Sequence, residues 1–277
     1  MANTIIVPEI FAKEVIRNRD IKNVFYNYAN TKYEWELKMQ WDTVTVQTLP
    51  TLSFTTWWTA WDTIAATAFA ITSESLVINQ VAQLLVELKN IEIVQSNLSL
   101  EQKVWERFAE AEARLLDTVI RDFILNDVDN KIPSGNKLTT IVASKTTIFA
   151  SIEALKVILA ENNVTDNLVL FVSPKVASFL RQSGELDNTD TGWMVRQKGA
   201  LGLISGFKVV ETNALTASMK MIAMQEWAIN SVVQLNKYKV TDWVDGFYEN
   251  LLAEIIYGTK IFGELGKWIA TQVYTYS

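Results

Sequence analysis

The sequence contains neither cysteine nor histidine among its 277 residues. Without cysteine there is no disulfide, no thiolate metal site and no cysteine nucleophile. Without histidine, the Ser-His-Asp triad, the Cys-His dyad, histidine-ligated zinc and the usual general base near neutral pH are unavailable. The two absences together exclude most hydrolytic classes of enzyme.

Glycine is missing from the first half of the chain, because all ten glycines occur at Gly135 or later. The first half therefore lacks the flexible turns of a glycine-loop enzyme. The spacing of Gly199, Gly202 and Gly206 does not fit G-x-G-x-x-G, and no G-K-[ST] motif is present. A nucleotide-phosphate loop is therefore not supported.

The sequence also lacks long apolar runs and an excess of basic over acidic residues. No segment approaches about 18 uninterrupted apolar residues, and Met1–Glu9 lacks the basic region and apolar core of a signal peptide. We therefore expect a soluble protein, made in a reducing compartment, with no membrane partner. Lys and Arg number 25 against 31 Asp and Glu, a net charge of −6. This argues against a general nucleic-acid binder, although not against a container whose inner face tolerates nucleic acid.

Apolar and polar side chains alternate from residue 33 to residue 42, which is typical of a half-buried β-strand. The apolar positions are Tyr33, Trp35, Leu37, Met39 and Trp41. A second run, 44–48, leads to Pro50, and a third run contains Leu52, Phe54, Thr56 and Trp58. Burial of the first five side chains would contribute about 10 kcal/mol, which rivals the net stability of a domain, about 5–15 kcal/mol. We expect this face to be covered, either by the chain's own body or by a neighbouring molecule.

Other patterns in the first half predict helices. Residues 7–28 read as an amphipathic helix, and a further helix is expected after Leu76–Ile78 through Asn97. The most regular pattern runs from Ser99, with a Ser99–Gln102 capping box, to Asn126. Its apolar positions are Val104, Phe108, Ala111, Leu115 and Val119. At about 42 Å this helix would span most of a body of this size, as a spine.

The second half alternates between helix and strand, after a turn at residues 131–136 that is the best candidate for a domain boundary. We predict helices at 144–162 and from Ser173-Pro174 onward, a buried strand at 168–172, strands at 207–210 and 219–224, and a hairpin formed by 232–240 and 247–257. The intervening Gly184–Gly199 is polar and is predicted to be a loop.

Motifs with catalytic or metal-binding potential are weak. Ser134 and Lys137 match S-x-x-K without the K-T-G or S-D-N partner motifs. Asp127–Asp129 begins like a calcium loop but has Ile132 where glycine is required, and 187–192 has the glycine without the oxygen ligands. Five of the ten tryptophans lie between Trp35 and Trp61; they could stack on sugars, but a contact surface is favoured because aromatic residues dominate interface hot spots. We predict no enzyme, no metal and no cofactor.

The order of these elements resembles that of the major capsid proteins of tailed bacteriophages, whose Hong Kong 97-type fold encapsulin shells share. The resemblance is spread along most of the chain, in Val7–Val15, Trp41–Val46, Ala109–Ala113, Leu168–Pro174 and Gly202–Asn213. Family members often have glycine before the Asp-Thr-Val of the extended stretch, where this chain has Trp41.

The resemblance implies an α+β fold with four parts. These are an N-arm (1–29), an extended β-hairpin loop (30–70), a peripheral domain (71–135 and 231–260) with the spine helix (99–126), and an axial α/β domain (136–230 and 261–277). Subunit contacts would come from the extended loop, at Tyr33, Trp35, Leu37, Met39, Trp41, Leu52, Phe54 and Trp58. They would also come from the N-arm, at Ile10, Phe11, Val15 and Phe25, while Asp187, Asp190 and Trp193 would lie in the loop nearest the capsomer axis.

The function that the resemblance implies is self-assembly, through hexamers and pentamers, into the icosahedral head shell of a tailed phage. Its partners would be double-stranded DNA bound without sequence specificity, a separate scaffolding protein, a portal and a decoration protein. The protein would be found in the virion after assembly in the host bacterial cytoplasm. Two alternatives stay open: an encapsulin-like compartment that holds a cargo enzyme, and a monomeric carbohydrate-binding or hydrolytic enzyme that uses the tryptophan cluster.

Overall fold

The computed structural model describes residues 23–36, 39, 41–48, 71–89, 100–182, 202–215, 219–242 and 248–275. Within these ranges the helices are α1 (Leu100–Asn126), α2 (Lys145–Glu161) and α3 (Pro174–Gln182). The strands are β1 (Thr43–Thr48), β2 (Thr72–Val77), β3 (Gln80–Lys89), β4 (Lys137–Val142), β5 (Leu168–Val172), β6 (Leu203–Ile204), β7 (Phe207–Glu211), β8 (Met219–Gln225), β9 (Asn230–Asp242), β10 (Tyr248–Lys260) and β11 (Ile269–Thr275). The fold is therefore α+β.

β1 and β2 form a two-stranded antiparallel ribbon, with Thr43 opposite Val77 and Thr48 opposite Thr72. Val44 and Val46 pack from the ribbon against a small core of the main body. The buried members of that core are Leu76, Ile78, Val232, Ile256 and Phe262. The ribbon is thus attached to the body through its base.

A second, three-stranded antiparallel sheet has the order β3-β10-β9. Phe108 and Ala109 of α1 pack against Leu251, Ala253 and Ile255 of its central strand, β10. Burial of this apolar face holds the first half of the helix on the sheet.

The third sheet has six strands in the order β4-β11-β8-β5-β7-β6. Every residue of β5 is buried. Leu168, Leu170 and Val172 pack in the core formed with α2 and α3, whereas Val169 and Phe171 pack in the core formed with α1. Because both faces are covered, the strand needs the continuous apolar run that its sequence shows.

The spine helix is confirmed over Leu100–Asn126, but its predicted apolar face is only partly right, since Phe108 is buried and Leu115 packs against the same core. Ala111 is exposed, and Leu115 and Val119 are only partly buried. The buried positions are Phe108, Ala109, Ala113, Leu116, Ile120 and Ile124. Ser99, the proposed capping residue, lies outside the described residues.

Two further predictions for the first half are wrong. Residues 32–35 form a short 3-10 helix rather than a strand, and Trp41 lies in a turn. Residues 80–89, predicted as helix, form strand β3. The predicted run 44–48 is confirmed as β1. Of the predicted helix 7–28, residues up to 22 lie outside the described residues, and Tyr26–Tyr28 is a 3-10 helix.

The second half follows the prediction closely. Ser144 caps α2, since its hydroxyl accepts from the N–H of Thr147 at 3.1 Å, and Ser173 accepts from the N–H of Val176 at 3.4 Å before α3. β7, β8 and the β9–β10 pair are confirmed. The predicted loop 184–199 and the turn at Asp245-Gly246 lie outside the described residues. No helix in the described ranges is both long and apolar enough to span a bilayer.

Candidate functional site

A tight turn at the base of the ribbon exposes two large apolar side chains, Met39 (71% exposed) and Trp41 (67%). The N–H of Met39 donates to Oδ2 of Asp42 at 2.7 Å, and the N–H of Asp42 donates back to the Met39 carbonyl at 3.0 Å. The N–H of Trp41 donates to the Ile78 carbonyl at 2.8 Å. The backbone is therefore held firmly while both side chains project into solvent.

The backbone of this turn bears on the position where related capsid proteins often have glycine and this chain has Trp41. Its φ is +73°, in the left-handed region that glycine adopts without strain. Tryptophan thus occupies a turn whose backbone suits glycine, and the strand at Thr43 follows it directly.

A second exposed site lies on the 3-10 helix Lys32–Trp35, where Trp35 is 86% exposed. The helix is tied to β9, because Nε2 of Gln234 donates to the Glu34 carbonyl at 2.7 Å. Trp227, in the turn between β8 and β9, is 55% exposed, and Nζ of Lys32 lies 5.5 Å from the centroid of its ring. Lys32, Trp35 and Trp227 are called the tryptophan patch below.

Two of the predicted contact residues are covered by the chain itself. Phe25 is fully buried, and its ring stacks on Phe171 with centroids 4.2 Å apart. The prediction that Phe25 contacts a neighbouring subunit is therefore wrong, since its apolar surface is already used in the core. Tyr33 is partly buried, with its ring edge-on to Phe262 at 5.9 Å.

The structure thus places three of the predicted contact residues, Trp35, Met39 and Trp41, on the surface of the subunit. The remaining predicted residues lie outside the described ranges: Leu37, Leu52, Phe54 and Trp58 of the extended loop, Ile10, Phe11 and Val15 of the N-arm, and Asp187, Asp190 and Trp193 of the axial loop. Trp227 was missed by the sequence reasoning. Nothing in its local pattern shows that it lies in a turn beside Lys32, a residue almost 200 positions away in the chain (227 against 32).

The carboxylates of the suspected calcium loop are bound by the chain. Asp127 accepts from Nζ of Lys137 at 2.8 Å and from the N–H groups of Lys131 and Ile132. Burial raises the pKa of Asp127, but these bonds outweigh it and hold the pKa below its ordinary value. Asp129 pairs with Lys260 at 3.2 Å. Within the described ranges no three acidic side chains are grouped so that they could hold a metal ion.

A third ion pair joins the ribbon to the body. Oε1 of Glu74, on β2, accepts from Nζ of Lys131 at 2.7 Å, and Oε2 accepts from the N–H of Gly263 at 3.1 Å. Burial raises the pKa of Glu74, but the bonds from Lys131 and Gly263 and the charge of Lys260 together bring it below its ordinary value. Glu74 therefore fastens the ribbon at the point where it leaves the body.

The open grooves beside the ribbon hold no recognisable catalytic set. One of about 530 Å³ is lined by residues that include Tyr33, Glu74 and Trp268, and one of about 490 Å³ by residues that include Phe123 and Lys260. The charged residues that line the two grooves are held in ion pairs, namely Glu74–Lys131, Lys260–Asp129, Lys267–Glu264 and Arg121–Asp122. The exposed tryptophans are therefore the most informative surface feature of the described residues.

A comparison with models of protein families gives no match, and neither does a comparison with curated proteins. Solved structures do match. A structure of Mycobacterium phage Che8 is 24% identical, covers 91% of this chain and 91% of that chain, and has a TM-score of 0.75. The capsid structure of the cyanophage P-SCSP1u is 11% identical over 92% of this chain and 89% of that chain, with a TM-score of 0.72.

A virus-like particle from Pyrococcus furiosus is also similar, at 11% identity over 95% of this chain and 98% of that chain, with a TM-score of 0.60. These likenesses extend over nearly the whole chain. The chain has the α+β, Hong Kong 97-type capsid fold that the sequence predicted.

Proposed function

We propose that this chain is the major capsid protein of a tailed bacteriophage, which self-assembles into the icosahedral head shell around double-stranded DNA. The observation that carries the proposal is the exposure of Trp35, Met39 and Trp41 on a subunit with a capsid fold. A contact between copies would cover these large apolar side chains.

The driving force would be burial of apolar surface between subunits. Each fully buried side chain of this size contributes about 1.5–3 kcal/mol, so the three together supply several kcal/mol for each contact. In a closed shell every copy repeats the same contacts, so the sum over the particle is large. The ribbon, fastened at Glu74, would hold Met39 and Trp41 in a fixed position for the neighbour.

We assign a separate role in the shell to each of the four predicted parts of the subunit. The N-arm (1–29) and extended loop (30–70) would reach neighbouring subunits. The peripheral domain (71–135 and 231–260) would carry the spine helix α1, and the axial domain (136–230 and 261–277) would meet its copies at the hexamer or pentamer axis. Phe25 is fully covered and Tyr33 is partly covered by Phe262, so Trp35, Met39 and Trp41 are the most exposed of the described contact residues.

The proposed role is structural rather than enzymatic. A sequence without histidine or cysteine lacks the usual nucleophile–base pairs, and Asp127, Asp129 and Glu74 already bind lysines. Packaged DNA would be held without sequence specificity, since a net charge of −6 favours weak contact. A scaffolding protein, a portal and a decoration protein are the further proposed partners, with assembly in the host bacterial cytoplasm and the final location in the virion.

An encapsulin-like compartment is the second candidate, and the match to the virus-like particle from Pyrococcus furiosus, over 98% of that chain, favours it. The two candidates differ in what the shell encloses. DNA that survives nuclease treatment inside purified particles supports the phage head, and a co-purifying cargo protein without DNA supports the compartment.

Expression of the chain, alone and with candidate scaffolding proteins, tests the proposal. Light scattering and negative-stain microscopy should show closed shells at high concentration. A stable 31.4 kDa monomer under all of these conditions would contradict a shell function and leave the monomeric binding or hydrolytic protein as the better explanation.

A further inference from the structure

Two tryptophans adopt a backbone conformation that is unusual for so large a residue. Trp41 has φ +73° and Trp227 has φ +70°. The other non-glycine residues with positive φ in the described ranges are small and polar: Asp127, Asn130, Asn163, Asn167 and Ser205. Asn and Asp tolerate this region, whereas a bulky side chain there is a true outlier. Glycine would remove the backbone strain at both positions. The presence of tryptophan there therefore needs an explanation other than the backbone conformation.

The turn that holds Trp227 is built from backbone hydrogen bonds that need no indole. The N–H of Trp227 donates to the Tyr28 carbonyl at 2.9 Å, and the N–H of Glu226 donates to the Asn167 carbonyl at 3.0 Å. The next residue, Ala228, is fully buried, while the Trp227 side chain stays 55% exposed. The indole therefore does not fill the core of its own subunit.

Trp227 lies beside Lys32, whose short 3-10 helix also carries the exposed Trp35. Nζ of Lys32 is 5.5 Å from the ring of Trp227, and Lys32 and Trp35 are separated by one turn of a 3-10 helix. Side chains three residues apart on such a helix project from the same side, about 6 Å from each other. The tryptophan patch thus joins the start of the extended loop to the β8–β9 turn.

The exposed area suits a protein contact. A tryptophan presents about 150–250 Å² when it is buried in an interface. At exposures of 86% and 55%, Trp35 and Trp227 together offer roughly 280 Å². That is about a third of what one partner contributes to a standard interface, roughly 800 Å².

The charges around the tryptophan patch disfavour nucleic acid. Lys32 and Lys208 are close to the patch, but Glu34, Glu36 and Glu226 lie on the same two segments. This local excess of carboxylates would repel a phosphate backbone. An apolar, weakly acidic surface fits a protein partner.

We infer that the tryptophan patch is a contact surface for a second copy of this chain, and that Trp227 is retained in a strained turn for that contact. The inference rests on the proposed function, since a shell supplies the second copy at every position. Trp35 belongs both to the patch and to the assembly residues proposed above, so the surface continues that contact.

Trp227→Gly separates a contact role from a structural one. Glycine relieves the left-handed strain but also removes the buried part of the indole, and because these two effects oppose each other the denaturation midpoint of the subunit should change little. The critical concentration for shell assembly should rise at least tenfold. Trp227→Phe, which keeps an aromatic ring, should assemble at a concentration between the two. Asn163→Gly, at another positive-φ site with φ +61°, should change neither quantity.

Assembly of Trp227→Gly at the wild-type concentration would overturn the inference. So would a fall in its denaturation midpoint large enough to explain the assembly defect, because the indole would then be a structural element. Normal shells that have lost only their DNA would assign the patch to nucleic acid instead. If the wild-type chain forms no shells, the proposed function fails, and that result is distinct from all of these.

Discussion

The carboxylate of Asp117 accepts a 2.8 Å hydrogen bond from the backbone N–H of Phe25. It also accepts from the N–H of Val24 at 3.0 Å. Asp117 lies in the middle of α1, and residues 24 and 25 lead into the 3-10 helix Tyr26–Tyr28. A single buried side chain of the spine helix therefore holds the backbone of Val24 and Phe25 on the body.

Burial raises the pKa of Asp117 to about 6, against the opposing effect of the bonds from Val24 and Phe25. The folded state therefore holds this proton more tightly than the unfolded state. Its contribution to the free energy of unfolding should fall as the pH rises from about 4 to about 6, by up to about 3 kcal/mol. Urea denaturation of dilute subunits, wild type against Asp117→Asn, measures this at pH 4.5 and pH 7. A difference between the two proteins that is the same at both pH values would contradict the raised pKa.

The exposed tryptophans should be needed for assembly but not for folding. Trp35→Asp and Trp41→Asp should each leave the free energy of unfolding within about 0.5 kcal/mol of wild type, because both side chains are largely exposed. Each should abolish shell formation, since a carboxylate would be buried at the contact. Sedimentation and circular dichroism report the two properties separately.

Trp268→Asp is the matched control for these substitutions. Trp268 packs between the two cores on either side of the six-stranded sheet. This variant should lose about 3 kcal/mol or more of stability. Normal shells from both surface variants would show that Trp35 and Trp41 are not contact residues.

Loss of the ion pair at Glu74 should loosen the ribbon. Glu74→Gln leaves Lys131 without its carboxylate partner and should cost about 1–3 kcal/mol. Because the pKa of Glu74 is lowered in the folded state, the difference from wild type should be present above pH 4.5 and shrink as the pH falls below it. Hydrogen exchange of the β1 and β2 amides should quicken at pH 7.

Arg107→Gln provides the comparison for Glu74→Gln. Arg107 pairs with Glu110 at 2.9 Å, but its side chain is 79% exposed. Removal of this pair should change stability by less than about 0.5 kcal/mol. An equal effect of the two substitutions would mean that the Glu74 pair is no more important than a surface pair.

Gly266 should tolerate no side chain, because a Cβ there would lie 2.1 Å from the carbonyl oxygen of Lys131. Gly266→Ala should therefore destabilise the subunit by at least about 2 kcal/mol, as overpacking against backbone does. Gly135→Ala, where no heavy atom lies within 4 Å, should be neutral or slightly stabilising. Thermal denaturation of the two variants checks the contrast, and similar melting temperatures would contradict the close approach.

The second half of the fold could be predicted because its signals are local. Ser144 and Ser173 bind the N–H groups of their own helices. β5 is apolar throughout because it has a core on each side. These features need no knowledge of distant residues.

The errors in the first half arise where distant contacts override local preference. Residues 80–89 contain good helix formers, but they pair with β10, as Val86 does with Leu251. On α1, the first half packs on the three-stranded sheet and the second half on the six-stranded sheet. The packed face therefore shifts around the helix from one sheet to the other. A single 3.6-residue pattern predicted Phe108 correctly but missed Leu116, Ile120 and Ile124.

The candidate site was predicted in part. An alternating pattern drew attention to Trp35, Met39 and Trp41, which are exposed, but it also included Tyr33, which packs on Phe262. The described residues of this alternating sequence form a 3-10 helix and a turn, not the predicted strand. Trp227 could not be found, because its turn and its neighbour Lys32 are brought together only by the fold.

The position of β11 between β4 and β8 imposes an order of events during translation. Lys137 of β4 pairs with Thr271, and at about 5–20 residues per second the ribosome needs roughly 7–27 s to make the intervening chain. Until then β4 has no neighbour on that side, and the six-stranded sheet stays open. The six-stranded sheet is therefore completed only after nearly all of this sequence has been made.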